Sequence, residues 1–309
     1  MSELTRRDVL KSGIALGATL ASGHVLGSES KEINHMQKNP FKMKYAPHFG
    51  MFQNSAGNDL VDQIKFAHDE GFRAWEDNGM RDRSIADQER VSKAMSQVGM
   101  EMGIFVACMD IAWVPSLATG KQEWTDKFVT DCKASVEVAK RMNAKWMTVV
   151  PGMIEPRLDY GYQAVNVCEA LKRGAEILEP HGMVMVIEVL NFRDHPGLFL
   201  NKVSQGFQLC KAVGSPACKV LFDMYHAQIH EGNIIPNIDA AWTEIGYYQI
   251  GDNPGRNEPT SGEVNYKNIF SHLNKKGFTG ILGMEHGNSK PGKDGERAVI
   301  DAYRSSDNF

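Results

Sequence analysis

Val184-Met185-Val186-Ile187-Glu188-Val189-Leu190-Asn191 is an apolar run of strand length that holds a single carboxylate. Three segments of the same kind follow: Lys219 to His226 with Asp223, Ile245 to Asp252 with Gln249, and Gly280 to His286 with Glu285. Each reads as a buried strand ending in a metal-type oxygen ligand. The four ligand positions are 35, 26 and 36 residues apart, each about the length of one strand-helix unit. In a parallel barrel that spacing brings all four side chains to one rim, where the chemistry of such folds sits. Three carboxylates converging in apolar surroundings are costly to desolvate and need a cation or protons to neutralise them. A divalent metal ion meets that need.

Outward from these segments, strand-like runs alternate with helix-period stretches. Strands are expected at Lys44 to Phe52, Phe72 to Glu76, Met102 to Met109 and Lys145 to Val150, ahead of the four ligand-bearing ones. Helices are expected over Asp59 to Glu70, Ser84 to Val98, Trp124 to Met142 and Tyr160 to Leu178, then near Lys202 to Val213, Ile235 to Trp242, Asn265 to Lys276 and Glu296 to Ser305. Strict alternation of eight and eight makes an α/β protein, a (β/α)8 TIM barrel, the first choice. An open doubly wound sheet is the alternative, but Pro47-His48-Phe49-Gly50-Met51-Phe52 offers no glycine-rich phosphate loop after the first strand. Residues 42–309 are expected to form one barrel domain.

The chain has 309 residues, with Lys plus Arg at 34 against Asp plus Glu at 38 and a formal charge of −4. That balance gives no electrostatic case for nucleic acid. Five cysteines (Cys108, Cys132, Cys168, Cys210, Cys218) show no CxxC spacing and read as small core residues. Thr5-Arg6-Arg7-Asp8-Val9-Leu10-Lys11 precedes a Gly- and Ala-rich run to Leu26, which resembles a twin-arginine export signal. Residues 1–30 are therefore expected to be that signal and 31–41 a polar linker, placing the protein in the periplasm or anchored facing it. Cleavage stays open, because Ala21-Ser22-Gly23 and Thr19-Leu20-Ala21 are both imperfect sites.

Glu188 has no basic residue in its own strand to pair with. Asp223 is followed three residues later by His226, close enough for both to reach one pocket. Gln249 alone is weak, since buried glutamines often bond backbone, and Glu285 repeats the situation of Glu188. Glu188, Asp223, Gln249 and Glu285 together form an all-oxygen set suited to one hard divalent cation, Mg2+ or Mn2+. Zinc is less favoured without a nitrogen or sulfur ligand, though His226 leaves it open.

The run Asp223-Met224-Tyr225-His226, then Gln249-Ile250-Gly251-Asp252-Asn253-Pro254-Gly255-Arg256-Asn257-Glu258-Pro259 through Gly262-Glu263-Val264-Asn265-Tyr266, resembles the hydroxypyruvate isomerase family. That family lies within the xylose isomerase-like TIM barrels, beside the ketose 3-epimerases. The likeness runs from about Lys44 to Tyr303. It implies a metal held by Glu188, Asp223, Gln249 and Glu285, proton transfer by Glu188 and Glu285, and substrate contacts from His226 and Arg256. An arginine fork in a rim loop also suits a carboxylate or paired hydroxyls; a salt bridge to Glu258 or Glu263 is its alternative. His48, Glu76 and Trp113 fall at or after strands, where they line the mouth or serve as scaffold.

Asn257, where relatives usually carry histidine, and the loop Asp110 to Pro115 depart from the family pattern and shift the expectation away from hydroxypyruvate itself. The expected activity is a metal-dependent aldose-ketose type isomerase on a small hydroxycarbonyl or sugar substrate. A ketose 3-epimerase and a non-catalytic exported carbohydrate-binding barrel are the rivals. A homo-oligomer is compatible with the sequence, which gives no route to oligomeric state.

Overall fold

A computed structural model of the chain describes residues 38–309. The expected export signal and the linker as far as residue 37 lie outside the described residues. Nine short strands are β1 Lys44–Ala46, β2 Ala74–Trp75, β3 Glu101–Met102, β4 Ile104–Val106, β5 Trp146–Val149, β6 Val184–Glu188, β7 Cys218–Asp223, β8 Ile245–Gln249 and β9 Ile281–Gly283. The helices are α1 Gln53–Ala56, α2 Leu60–Asp69, α3 Ile85–Val98, α4 Gln122–Met142, α5 Tyr160–Leu178, α6 Val203–Val213, α7 Met224–His230, α8 Ile234–Ala241, α9 Tyr266–Lys275 and α10 Gly292–Ser306. Among the described residues, none is long and apolar enough to cross a membrane.

Every strand pairing is parallel, in the order β1-β9-β8-β7-β6-β5-β4, with β2 on β3. Single backbone bonds close the ring: Glu76 N–H to the Pro47 carbonyl (3.0 Å), Asp77 N–H to the Ile104 carbonyl (3.2 Å) and Val106 N–H to the Asn78 carbonyl (3.2 Å). β3 and β4 are one barrel strand interrupted at Gly103, whose N–H still bonds the Trp75 carbonyl at 2.7 Å. A β-carbon at Gly103 would collide with the Tyr247 hydroxyl, so this glycine makes room inside the ring. The fold is the expected α/β TIM barrel.

Strand periodicity sorts the side chains. Val184, Val186, Leu221, Tyr247 and Ile281 pack together with Ala46, Ala74 and Ile104 as the barrel's interior. Met185, Ile187, Val220, Phe222, Tyr248 and Leu282 face outward into the larger core under the helices. Two residues beyond Val186, Leu221 and Tyr247 stand Glu188, Asp223 and Gln249, which thus form a polar layer at the strands' C-terminal ends, and the same step from Ile281 reaches Gly283.

The expected strands run too long. β1 ends before Pro47, which has no N–H to give a ladder, and Gly50 turns the chain at φ 95°. β7 ends at Asp223 because that residue N-caps α7, its Oδ1 accepting from the N–H of Tyr225 (2.7 Å) and His226 (3.4 Å). His226 therefore stands in the first turn of a helix, not at a strand end.

Candidate active site

The caps and registers just described bring three side chains to one point. Glu188 from the end of β6, Asp223 from the end of β7 and His226 from α7 are all buried, and their donor atoms lie within 4.8 Å of one another. His226 Nε2 is 3.5 Å from Asp223 Oδ2 and 4.0 Å from Glu188 Oε1. Asp223 pairs in register with Gln249, which delivers that amide from β8 to the same layer.

Glu285 follows β9 and reaches Asp223 through Arg256, whose Nη2 lies 2.9 Å from both Asp223 Oδ2 and Glu285 Oε2. The salt bridge to Glu258 or Glu263 posed as this arginine's alternative does not form. Glu258 instead accepts from the Ser289 N–H at 2.9 Å, and Glu263 from Gln228 and Asn253. Asp252, fully buried, folds the intervening loop by accepting from the N–H of Asn253, Gly262 and Val264 at 2.9–3.0 Å. Much of the PGRNEPTSGEVNY run is thus scaffolding that delivers Arg256 over the Tyr225 ring.

A fourth acid, Glu76, sits just past β2 and is buried. It accepts hydrogen bonds from the Tyr247 hydroxyl at 3.0 Å and from the Gln249 side chain. Its signal in the sequence was the same as that of Glu188, an acid closing an apolar strand, in a much shorter run. Asn78, which donates to Glu285 Oε1 at 2.8 Å, gave no such signal.

The electrostatics call for a cation. Burial, then the charges of Glu285 and Asp223, push the Glu188 carboxyl well above the usual range; burial and Glu285 do the same to Glu76. Burial also raises Glu285, against the pull of Arg256. Burial lowers His226 to about 4, so its imidazole is neutral near pH 7. Four carboxyl groups thus share one guanidinium. Gln249 Oε1 and His226 Nε2 are buried without hydrogen-bond partners, a cost that structures of this kind avoid unless a ligand takes the atom. Glu188 and Asp223, with the unpartnered Gln249 Oε1 and with Glu285 beyond Arg256, make an oxygen donor set that fits a divalent cation, and His226 stands within 4.8 Å of the first two.

The site opens into a cavity of about 470 Å³ lined by His48, Phe49, Glu76, Arg83, Arg256 and Glu285, among others. His48 and Glu76 therefore do line the mouth. Trp113 does not border this cavity; it is half exposed and stacks on His195 at 5.2 Å, whose ring meets the edge of His226 at 5.4 Å.

Residues 64–306 match the family described as xylose isomerase-like TIM barrel. The chain is similar to a 2-oxo-tetronate isomerase of Cupriavidus necator, 36% identical over 138 residues, covering 45% of this chain and 53% of that protein. It thus spans about half the length of that relative. It is also similar to a putative hydroxypyruvate isomerase of Xenopus laevis, 30% identical over 239 residues, covering 74% of this chain and 84% of that protein. Among solved structures, the D-psicose 3-epimerase of Clostridium cellulolyticum superposes with a TM-score of 0.70 over 85% of this chain and 98% of that one, at 17% identity. That likeness concerns the fold alone.

Proposed function

This chain belongs to the xylose isomerase-like TIM barrel family, and on that premise we propose that it is a metal-dependent isomerase of small hydroxycarbonyl compounds, hydroxypyruvate-like acids or small sugars. One observation carries the proposal: an excess of buried carboxyl groups, with an unpartnered Gln249 oxygen beside them, at the mouth of a barrel that opens into a small-molecule cavity. Relatives named hydroxypyruvate isomerase and 2-oxo-tetronate isomerase support the substrate class.

Glu188, Asp223, Gln249 and Glu285 would hold the ion, with Mg2+ or Mn2+ suited to the oxygen donors. When bound, it supplies a Lewis acid for the substrate's carbonyl and adjacent hydroxyl oxygens. Glu188 and Glu285 move the proton: one carboxylate takes it from the hydroxyl-bearing carbon next to the carbonyl, and the same or the other returns it to the former carbonyl carbon, while the hydroxyl proton passes to the former carbonyl oxygen. Burial raises both groups in the metal-free protein, whereas a bound cation would lower them, so a carboxylate oxygen left free of the ion is the one suited to take the proton. His226 and Arg256 contact substrate oxygens, and Arg256 keeps the two carboxylates it bridges from repelling each other.

A ketose 3-epimerase would use the same residues and return the proton to the other face of the original carbon. The cavity volume keeps this reading in play, because about 470 Å³ exceeds what a three-carbon acid fills. The deciding experiment is incubation of the Mn2+-loaded protein with hydroxypyruvate, 2-oxo-tetronate and ketoses in deuterated water. Deuterium at the carbon next to the carbonyl supports the enzyme, and its position separates isomerase from epimerase. Absence of label with every substrate overturns both in favour of a binding protein.

The Arg6-Arg7 segment supports a place outside the cytoplasm for this activity. Fractionation of cells making the chain tests that, with Arg6→Lys/Arg7→Lys retained in the cytoplasm as the expected result.

A further inference from the structure

We infer that Asn191 sets the tautomer of His226, so that the imidazole offers an N–H, not a lone pair, to the space between Glu188 and Asp223. Asn191 is then a positioning residue, and His226 is a hydrogen-bond donor to a substrate oxygen rather than a metal ligand.

Two groups approach His226 Nδ1, and both belong to Asn191. One is its backbone N–H at 3.4 Å, which can only donate. The other is its side-chain Nδ2 at 2.7 Å. The orientation of that amide is fixed from three sides. Its Oδ1 accepts from the N–H of Arg193 (3.0 Å) and of Asp194 (2.9 Å), and its NH2 also donates to Asp194 Oδ2 (2.9 Å). Asp194 Oδ2 is in turn held by the Tyr225 hydroxyl at 2.9 Å. Turning the amide over would set an oxygen against a carboxylate and an NH2 against two N–H groups. Nδ1 is therefore the acceptor.

A neutral imidazole carries one N–H, which the accepting Nδ1 leaves to Nε2. A ring whose Nδ1 faces only N–H donors keeps a lone pair there and so is not the doubly protonated imidazolium. Nε2 is the atom without a partner, aimed at Asp223 and Glu188 from 3.5 and 4.0 Å. Metal-binding histidines in general accept the ion on one nitrogen and give the other N–H to a carboxylate or carbonyl. Here the second nitrogen meets donors instead, which is the opposite polarity. The ion is thereby left to oxygens, and the Nε2–H is left for a carbonyl or hydroxyl oxygen that enters between Glu188 and Asp223. The tautomer stands on geometry alone; the substrate contact rests on the isomerase reading above.

The test is nitrogen-15 correlation spectroscopy of the full chain, labelled at histidine and free of metal, with His226→Gln assigning the resonance. The expected spectrum has a pyridine-type Nδ1 and a pyrrole-type Nε2 near pH 7. A pyrrole-type Nδ1 overturns the proposal, as does scalar coupling between Nε2 and bound cadmium-113. Asn191→Asp, whose carboxylate accepts from Nδ1–H, should reverse the two resonances, tighten Zn2+ binding severalfold and lower turnover about 10–100-fold; Asn191→Leu should lower turnover without tightening Zn2+. Unchanged Zn2+ affinity and turnover in Asn191→Asp count against the role. If no substrate takes up deuterium while the wild-type spectrum is as expected, the isomerase reading falls and the tautomer assignment stands.

Discussion

Glu76 fills the space that a side chain at Gly283 would need: a β-carbon built there would lie 1.9 Å from Glu76 Oε2. The Tyr247 hydroxyl, which donates to the same carboxyl group, occupies the room left by Gly103. Two glycines thus open a hole inside the ring for an acid and a phenol. The acid's other partner is the Gln249 side chain. With its NH2 engaged there, Gln249 has its Oε1 left over.

Gly283→Ala should therefore act on the metal site although residue 283 has no ligand atom. Overpacking of this kind costs about 1–3 kcal/mol of stability. Displacing Glu76 should also weaken Mn2+ binding about 10–100-fold, as loss of a partner that orients a ligand does. Thermal melts and Mn2+ titration check both; unchanged affinity would show that Glu76 does not orient Gln249.

Glu188→Gln and Glu285→Gln should keep the fold and lose proton transfer, because an amide retains the shape and lacks the basicity. The expected fall in deuterium exchange is about 10²–10⁴-fold for each. Far-ultraviolet circular dichroism and the exchange rate are the two readouts. Activity retained in both variants removes them from the chemistry.

Arg256→Leu should destabilise the metal-free protein by exposing Asp223 and Glu285 to each other uncompensated. Breaking a fully buried pair costs about 3–5 kcal/mol, and the side chain's 29% exposure brings the expectation down to about 1–3. Excess Mn2+ should restore most of that, since a hundredfold excess over Kd contributes about 2.7 kcal/mol. Arg256→Lys, which cannot present a planar fork, should chiefly raise KM. Melting temperatures with and without Mn2+, and the KM, decide it.

Acid should weaken the fold through His286. This ring is buried, its Nδ1–H donates to the Gly287 carbonyl and its Nε2 accepts from the Tyr303 hydroxyl, both at 2.8 Å. Burial lowers it to about 4 from 6.5. The unfolded chain then binds the extra proton between those values, so stability is full above about 6.5 and falls as pH drops toward 4, by roughly 2 kcal/mol from pH 7 to 5. Urea unfolding of the wild type and of His286→Gln at the two pH values isolates this share as their difference, since His226, also lowered to about 4 by burial, keeps its own.

The barrel was legible because inward and outward positions alternate in β6, β7 and β8, and the same period that put Val184, Val186 and Tyr247 inside placed Glu188, Asp223 and Gln249 in the layer above. His226 was assigned to a strand because an aspartate closing a strand and one capping a helix look alike until the next turn forms. Arg256's partners were hidden, since they depend on Asp252 gathering N–H groups up to twelve residues away. Asn191 was passed over as a strand end; its part is visible only once α7 folds back against it.

The ring's pairing is uneven. β5 to β8 share continuous ladders, whereas β2 is two residues long and meets β1 through a single amide, that of Glu76 itself. Unzipping should begin at this seam, where the fewest bonds must break. Loss of that one bond would swing an acid away from Gln249 while the opposite wall stayed laced, so thermal inactivation should run ahead of global melting, and bound metal should slow amide exchange at residue 76 more than at β6 or β7.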